Sequence, residues 1–183
     1  MTEKPDQDGA AFSAAVKSAI AYGGSLGGMS VVEAFDAAAS HVAVLLSDAF
    51  EAFQRSSYGT RVFLAITALE EIAKAEIIVF RMEPPSTPRA KRGRDPLLNH
   101  FTKHVIAVRP TTFMGRLPKL LGNPVCARLQ KEAETGALVQ LRERSLYVHV
   151  DEHGLSTPET VITASRAQEV LLLALEAADD TLV

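Results

Sequence analysis

The chain of 183 residues has one cysteine, Cys126, and no tryptophan, and aromatic residues make up only 6% of it. A lone thiol forms neither an intrachain disulfide nor a cysteine zinc cluster, so no such staple is expected. Long uncharged runs are also missing. The most apolar segment, 62–80, carries Glu70, Glu71, Lys74 and Glu76, whereas a spanning helix needs about 18 apolar residues in succession. Met1 to Gly9 is polar and net acidic, without the basic start and apolar run of a secretory signal. The expectation is a cytoplasmic protein with no membrane segment. At 47% hydrophobic and 22% charged residues, the composition excludes general disorder and collagen-like repeats. A net charge of −3 excludes a wholly basic nucleic-acid coat, though not a local patch.

What is abundant is alanine, with 27 residues. Alanine is the best helix former, so the fold is expected to be all-α. Residues 1–9 read as a tail and 10–183 as a single helical domain. A first helix is expected from Ala10 to Tyr22, ended by the glycine-rich stretch 23–28. That stretch has no preceding strand and no Lys-Ser/Thr ending, so it is a connector and not a phosphate loop. Ser30 with Glu33 forms a capping box for a second helix reaching about Arg55. Its apolar stripe is Val31, Phe35, Ala38, Val42, Leu45, Ala49 and Phe53, at helical spacing. Ser56 or Ser57 caps a third helix, Tyr58 to Met82. With so short a connection the two should pack as an antiparallel hairpin.

Seven of the nine prolines lie between Glu83 and Pro124, which predicts an irregular insert with short helical pieces, one of them Asp95 to Val108. Helix is expected again from Ala127 to Leu146, extended chain from Leu146 to Val150, a turn at 151–154, and a final helix from Thr157-Pro158 to about Asp180. Charge is uneven. Residues 81–119 hold nine basic side chains against two acidic, a net +7, while the remainder holds ten against twenty, a net −10. The densest stretch contains Arg89, Lys91, Arg92 and Arg94. It can grip RNA phosphates or an acidic partner, or it can be a solvated loop, since no aromatic residues interleave for base stacking.

Three groups of residues carry chemistry. In the third helix Glu70 shares a face with Phe63, Ile66, Ala73 and Ile77. A carboxylate on an apolar face needs a partner, and Lys74 is one turn on from Glu70 and three residues from Glu71. The cluster is either an internal salt bridge that fixes helix register or a polar patch lining a cleft or dimer interface. In the segment 142–149, Arg142 and Arg144 precede His149 by seven and five residues. An imidazole that takes the ribose 2′-hydroxyl proton and a guanidinium that holds the phosphate are what metal-independent RNA cleavage needs. Arg144 and His149 converge if the helix ends near Leu146. His100 and His104 stand at i, i+4, a spacing that can hold zinc, but no third ligand is evident and Lys103 lies beside them. No metal or cofactor is therefore expected.

Taken together, these segments resemble a known family. Val44-Leu-Leu-Ser-Asp48, Tyr58-Gly-Thr-Arg-Val-Phe-Leu-Ala-Ile, and Leu69-Glu70-Glu71-Ile-Ala-Lys74 are followed by His100-Phe-Thr-Lys103 and by Arg144-Ser-Leu-Tyr147-Val. In this order they resemble the AbiV family of abortive infection proteins, over roughly residues 30–180. That family is placed in the HEPN superfamily of small helical domains, many of them dimeric ribonucleases with an Arg-x4–6-His motif at the dimer interface. The resemblance implies antiphage defence by arrest of translation, a HEPN-like helical bundle, a homodimer, an RNA substrate (tRNA, rRNA or mRNA) and a phage protein as trigger. It maps the ribonuclease motif to Arg144 and His149, and the acidic-basic motif to Glu70, Glu71 and Lys74. Where the family usually has Asp after Leu-Tyr-Val, this chain has His149 and reaches Asp only at Asp151. Two functions follow as expectations: a ribonuclease toxin, or a non-catalytic protein that blocks translation or senses a phage protein through its dimer surface.

Overall fold

The computed structural model describes residues 7–21, 28–81, 95–152 and 154–183. It is a helical bundle built in the order α1 (Gln7–Ala21), α2 (Val31–Gln54), α3 (Tyr58–Phe80), a 3-10 turn (Pro96–Leu98), α4 (His100–Phe113), α5 (Leu117–Leu121), α6 (Asn123–Thr135), α7 (Ala137–Arg144), strands β1 (His149–Asp151) and β2 (Gly154–Ser156), α8 (Pro158–Val161) and α9 (Ala164–Leu182). The all-α expectation holds. The two strands form one small antiparallel hairpin, with Val150 opposite Leu155.

The hairpin of α2 and α3 is the frame. Ser30 accepts from the Glu33 amide, and the Glu33 carboxylate accepts from the Ser30 amide. Both otherwise unpaired donors are thereby satisfied, as a capping box does. Val42, Leu45 and Ala49 of the expected stripe are buried. The turn into α3 places Ser57 at the cap position, but its hydroxyl bonds the Thr60 side chain and not a backbone amide. α3 is the central helix. It packs against α2, α9, α4, α7 and α1, and Val62, Ile66, Leu69, Ile72 and Ile77 are fully enclosed. A helix covered on most sides reads as apolar most of the way round. At its start Gly59 has no room for a side chain, since a Cβ would meet Ser145 O at 2.5 Å and Pro158 Cβ at 2.7 Å. That close approach fixes the end of α7 and the start of α8 against α3.

Several boundaries differ from the sequence reading. Of the region 83–124, expected as an irregular insert with short helical pieces, residues 95–124 are described: the piece expected at Asp95–Val108 is the 3-10 turn and α4, which runs past Val108 and through Pro110 to Phe113, and α5 follows. Proline lacks only its own donor, and the helix resumes through Met114 N to Pro110 O at 2.8 Å. The single helix expected from Ala127 to Leu146 is two, α6 and α7, split at Gly136 with φ 77°. Glycine enters that left-handed region without the penalty a Cβ brings. Strand begins only at His149, not at Leu146. The final helix is divided at Ile162, and Thr163 caps α9 through the Arg166 amide.

The basic segment is also less exposed than its charge suggests. Arg81 is buried, donating to Ala19 O at 3.1 Å and to Asp95 Oδ1 at 2.7 Å. Lys103 is buried as well, and Arg116 pairs with Glu176 and Asp179 of α9. Arg89, Lys91, Arg92 and Arg94 lie outside the described residues. Among the described residues, no helix is long and apolar enough to cross a membrane.

Candidate functional site

One side of α3 turns a carboxylate into the bundle. Glu70 is buried, and α4 meets it with a polar face. His100, Lys103 and His104 occupy i, i+3 and i+4, one side of a helix. α7 brings Arg142 from the third direction, on the same inward face as the buried Leu138 and Ser145.

The carboxylate is fully engaged. Lys103 Nζ donates to Glu70 Oε2 at 3.0 Å, and His100 Nδ1 lies 2.6 Å from the same oxygen. Arg142 Nη1 donates to Oε1 at 2.5 Å, and Nη2 donates to Glu143 Oε1 at 2.9 Å. His104 Nε2 stands 3.2 Å from Oε1, but off the line of a hydrogen bond, and neither nitrogen of this enclosed ring has a bonding partner. Arg142 Nη1 also lies 3.1 Å from His100 Nδ1.

The electrostatics follow from this packing. Burial alone would raise the Glu70 carboxyl, but the adjoining His104 and Lys103 outweigh it and hold the group far below the usual carboxylate range. Glu70 is therefore an anion at neutral pH. Burial lowers the Lys103 ammonium, against the pull of Glu70. Burial likewise lowers the His104 imidazole, against the pull of Glu70. Removing charged groups from water is costly, and a centre of this kind persists only when the charges are mutually satisfied.

Lys74 does not serve Glu70, as the helical spacing allowed. It pairs with Glu71 at 2.6 Å, at the rim of the same centre. Of the two spacings the sequence offered for Lys74, the structure uses the one to Glu71 and gives Glu70 other partners. Lys103, noted in the sequence as a cation beside the two histidines and through the family resemblance, is the buried cation. His104 was read only as half of a zinc pair. The spacing of His100, Lys103 and His104 on one helical face was the available signal. Among the described residues no group of three side chains is arranged to hold a metal ion, and Lys103 and Arg142 already occupy the carboxylate that would be its ligand.

Arg144 and His149 lie elsewhere. Two residues on from Arg142, Arg144 falls on the opposite side of α7, exposed, in a shallow groove with Ala137, Gln140, Val161 and Arg166. It has no hydrogen-bond or ion-pair partner among the described residues. His149 is partly buried on β1, and its Nε2 is sealed from solvent without a partner. No hydrogen bond joins the two within one chain. Tyr147 is exposed before the hairpin, and Asp48 is exposed on α2.

A family model described as AbiV, of the HEPN group, matches residues 30–178. No curated protein and no solved structure matches the chain.

Proposed function

The chain belongs to the AbiV family of HEPN-superfamily abortive infection proteins, and from that membership we propose that it is an antiphage effector that stops translation by cutting RNA without a metal. The observation that carries this reading is a guanidinium beside an imidazole at the solvent edge of the polar centre, with Arg142 Nη1 3.1 Å from His100 Nδ1. Cleavage of RNA without a metal needs these two functions. A base takes the proton of a ribose 2′-hydroxyl, whose oxygen attacks the adjacent phosphorus, and a fixed cation balances the charge that develops there. The 5′-oxygen of the next nucleotide leaves with a proton, giving a 2′,3′-cyclic phosphate and a free 5′-hydroxyl.

In this reading the protein acts in the cytoplasm as a homodimer. Arg144, without an ionic partner among the described residues, takes a further phosphate of the strand, and His149 across the dimer is the rival proton carrier. Arg89, Lys91, Arg92 and Arg94 add non-specific attraction for tRNA, rRNA or mRNA. The test is to incubate the purified protein with total RNA and with tRNA in the presence of a chelator. Discrete cleavage products support the reading, and RNA that stays intact overturns it.

A second reading rests on the hairpin. Val150 and Leu155 face each other across the strands at 77% and 68% exposure, with Tyr147 and Val148 exposed beside them. Such a patch suits a protein partner. A non-catalytic effector that senses a phage protein through it would keep its phage protection in the double variant His149→Ala/Arg144→Ala and in His100→Ala, but lose it in Val150→Asp.

A further inference from the structure

We infer that His100 is the general base of this site, and that Glu70 holds its ring in the tautomer that makes it one. The inference rests on the RNA-cleavage reading and adds the identity of the proton carrier.

The argument begins with the carboxylate. Glu70, 4% exposed, receives hydrogen bonds from Lys103 and Arg142. An ionised carboxylate only accepts. A ring nitrogen 2.6 Å from it must therefore carry the hydrogen, so His100 is protonated on Nδ1. Arg142 Nη1, although 3.1 Å from that nitrogen, cannot donate to it and directs its hydrogen to Glu70 Oε1. In the neutral ring Nε2 is left as the bare acceptor. It makes no hydrogen bond among the described residues, and the side chain is 47% exposed. A buried carboxylate fixing one nitrogen of an imidazole while the other faces solvent is the arrangement of an oriented general base.

The other two candidates lack one of these properties. His104 is completely enclosed and cannot touch a polynucleotide. His149 has its Nε2 sealed from solvent, so that nitrogen cannot reach a polynucleotide. Among these three histidines, only His100 combines an anionic anchor with an open nitrogen.

The step balances within the RNA. His100 Nε2 takes the 2′-hydroxyl proton, the oxygen bonds to phosphorus, and the bond from phosphorus to the 5′-oxygen breaks. The imidazolium, stabilised by Glu70, returns the proton to that leaving oxygen, and Arg142 is the neighbouring fixed cation.

The experiment compares wild type, His100→Ala and His149→Ala on one labelled RNA in chelator, with circular dichroism to confirm folding. His100 is half exposed, and its replacement leaves Glu70 bonded to Lys103 and Arg142. General-base catalysis contributes typically 10²–10⁴-fold; a loss of about that size in His100→Ala, larger than the loss in His149→Ala, supports the inference. Full cleavage by His100→Ala overturns it and leaves the ribonuclease reading standing. No cleavage by wild type overturns both. Ring-nitrogen NMR tests the positioning role of Glu70. His100 should report Nδ1–H in the wild type and lose that signature in Glu70→Gln. An Nε2–H ring in the wild type contradicts it.

Discussion

Glu70 of α3 and Arg142 of α7, 72 residues apart in the chain, are joined by a hydrogen bond of 2.5 Å from Nη1 to Oε1. Arg142 reaches the same oxygen pair as Lys103, which is itself buried. The centre is thus one anion shared by two cations, and removing the anion leaves the buried Lys103 without its carboxylate and Arg142 with Glu143 alone.

Glu70→Ala should therefore destabilise the fold by about 3–5 kcal/mol, the cost of an uncompensated buried charge. Lys74→Ala, which breaks the rim pair with Glu71, should cost less than about 1 kcal/mol. Urea unfolding of both variants measures the difference. Equal and small losses would mean that Lys103 reaches solvent when its partner is gone.

Arg142 and Arg144 should separate cleanly. Arg142→Ala leaves Glu70 without one of its donors and should lower the unfolding midpoint markedly. Arg144→Ala removes an exposed side chain with no partner among the described residues and should change stability by no more than about 0.5 kcal/mol. Thermal unfolding of the two variants decides it, and a reversed order would show that the face of α7 is assigned wrongly.

The buried Glu70 and the half-buried Glu76 should bend the pH profile in opposite directions. Glu70 titrates well below its unfolded value of about 4.3. Its contribution is present above that value and is lost as pH falls toward the folded one. Glu76 has a sealed Oε2 with no hydrogen-bond partner, and burial pushes its carboxyl up to about 7. Its folded form holds the proton more tightly, so its contribution is present below about 4.3 and is lost as pH rises through about 7. Glu76→Gln should gain stability over wild type at pH 8 and show little difference at pH 4. Unfolding midpoints at the two pH values check this, and an equal gain at both would remove the titration as its cause.

Gly59→Ala tests the junction of α3, α7 and α8. A methyl there meets the Ser145 carbonyl oxygen and Pro158 inside contact distance, so one element must shift. Overpacking of this kind costs about 1–3 kcal/mol. A melting temperature unchanged by the substitution would show that the junction is loose.

How far these features were readable from the sequence follows from the range of each interaction. The capping box of Ser30 and Glu33 is complete within four residues, and the stripe of α2 is a property of one helix, so both were visible. The burial of Glu70 was visible too, because its neighbours at helical spacing are apolar. Its partners were not. Lys74 is near in sequence, whereas Lys103 and Arg142 arrive by tertiary packing, and nothing local reveals which helix α3 meets. The Arg144–His149 pairing depended on where α7 ends. The helix stops at Arg144, which directs Arg142 inward and Arg144 to the opposite side. Gly136 and Pro110 misled in opposite ways: one glycine ended a helix expected to continue, and one proline sat inside a helix expected to stop.

The decisive experiment is the chemistry of the cut ends. Wild-type protein is incubated with a defined RNA in excess chelator, and the products are analysed for their termini. Attack by the 2′-oxygen under an imidazole base, without a metal, predicts fragments with 2′,3′-cyclic phosphate and 5′-hydroxyl ends that form undiminished in chelator and vanish in His100→Ala. Intact RNA, or cleavage that requires an added divalent ion and leaves 5′-phosphate ends, would contradict it.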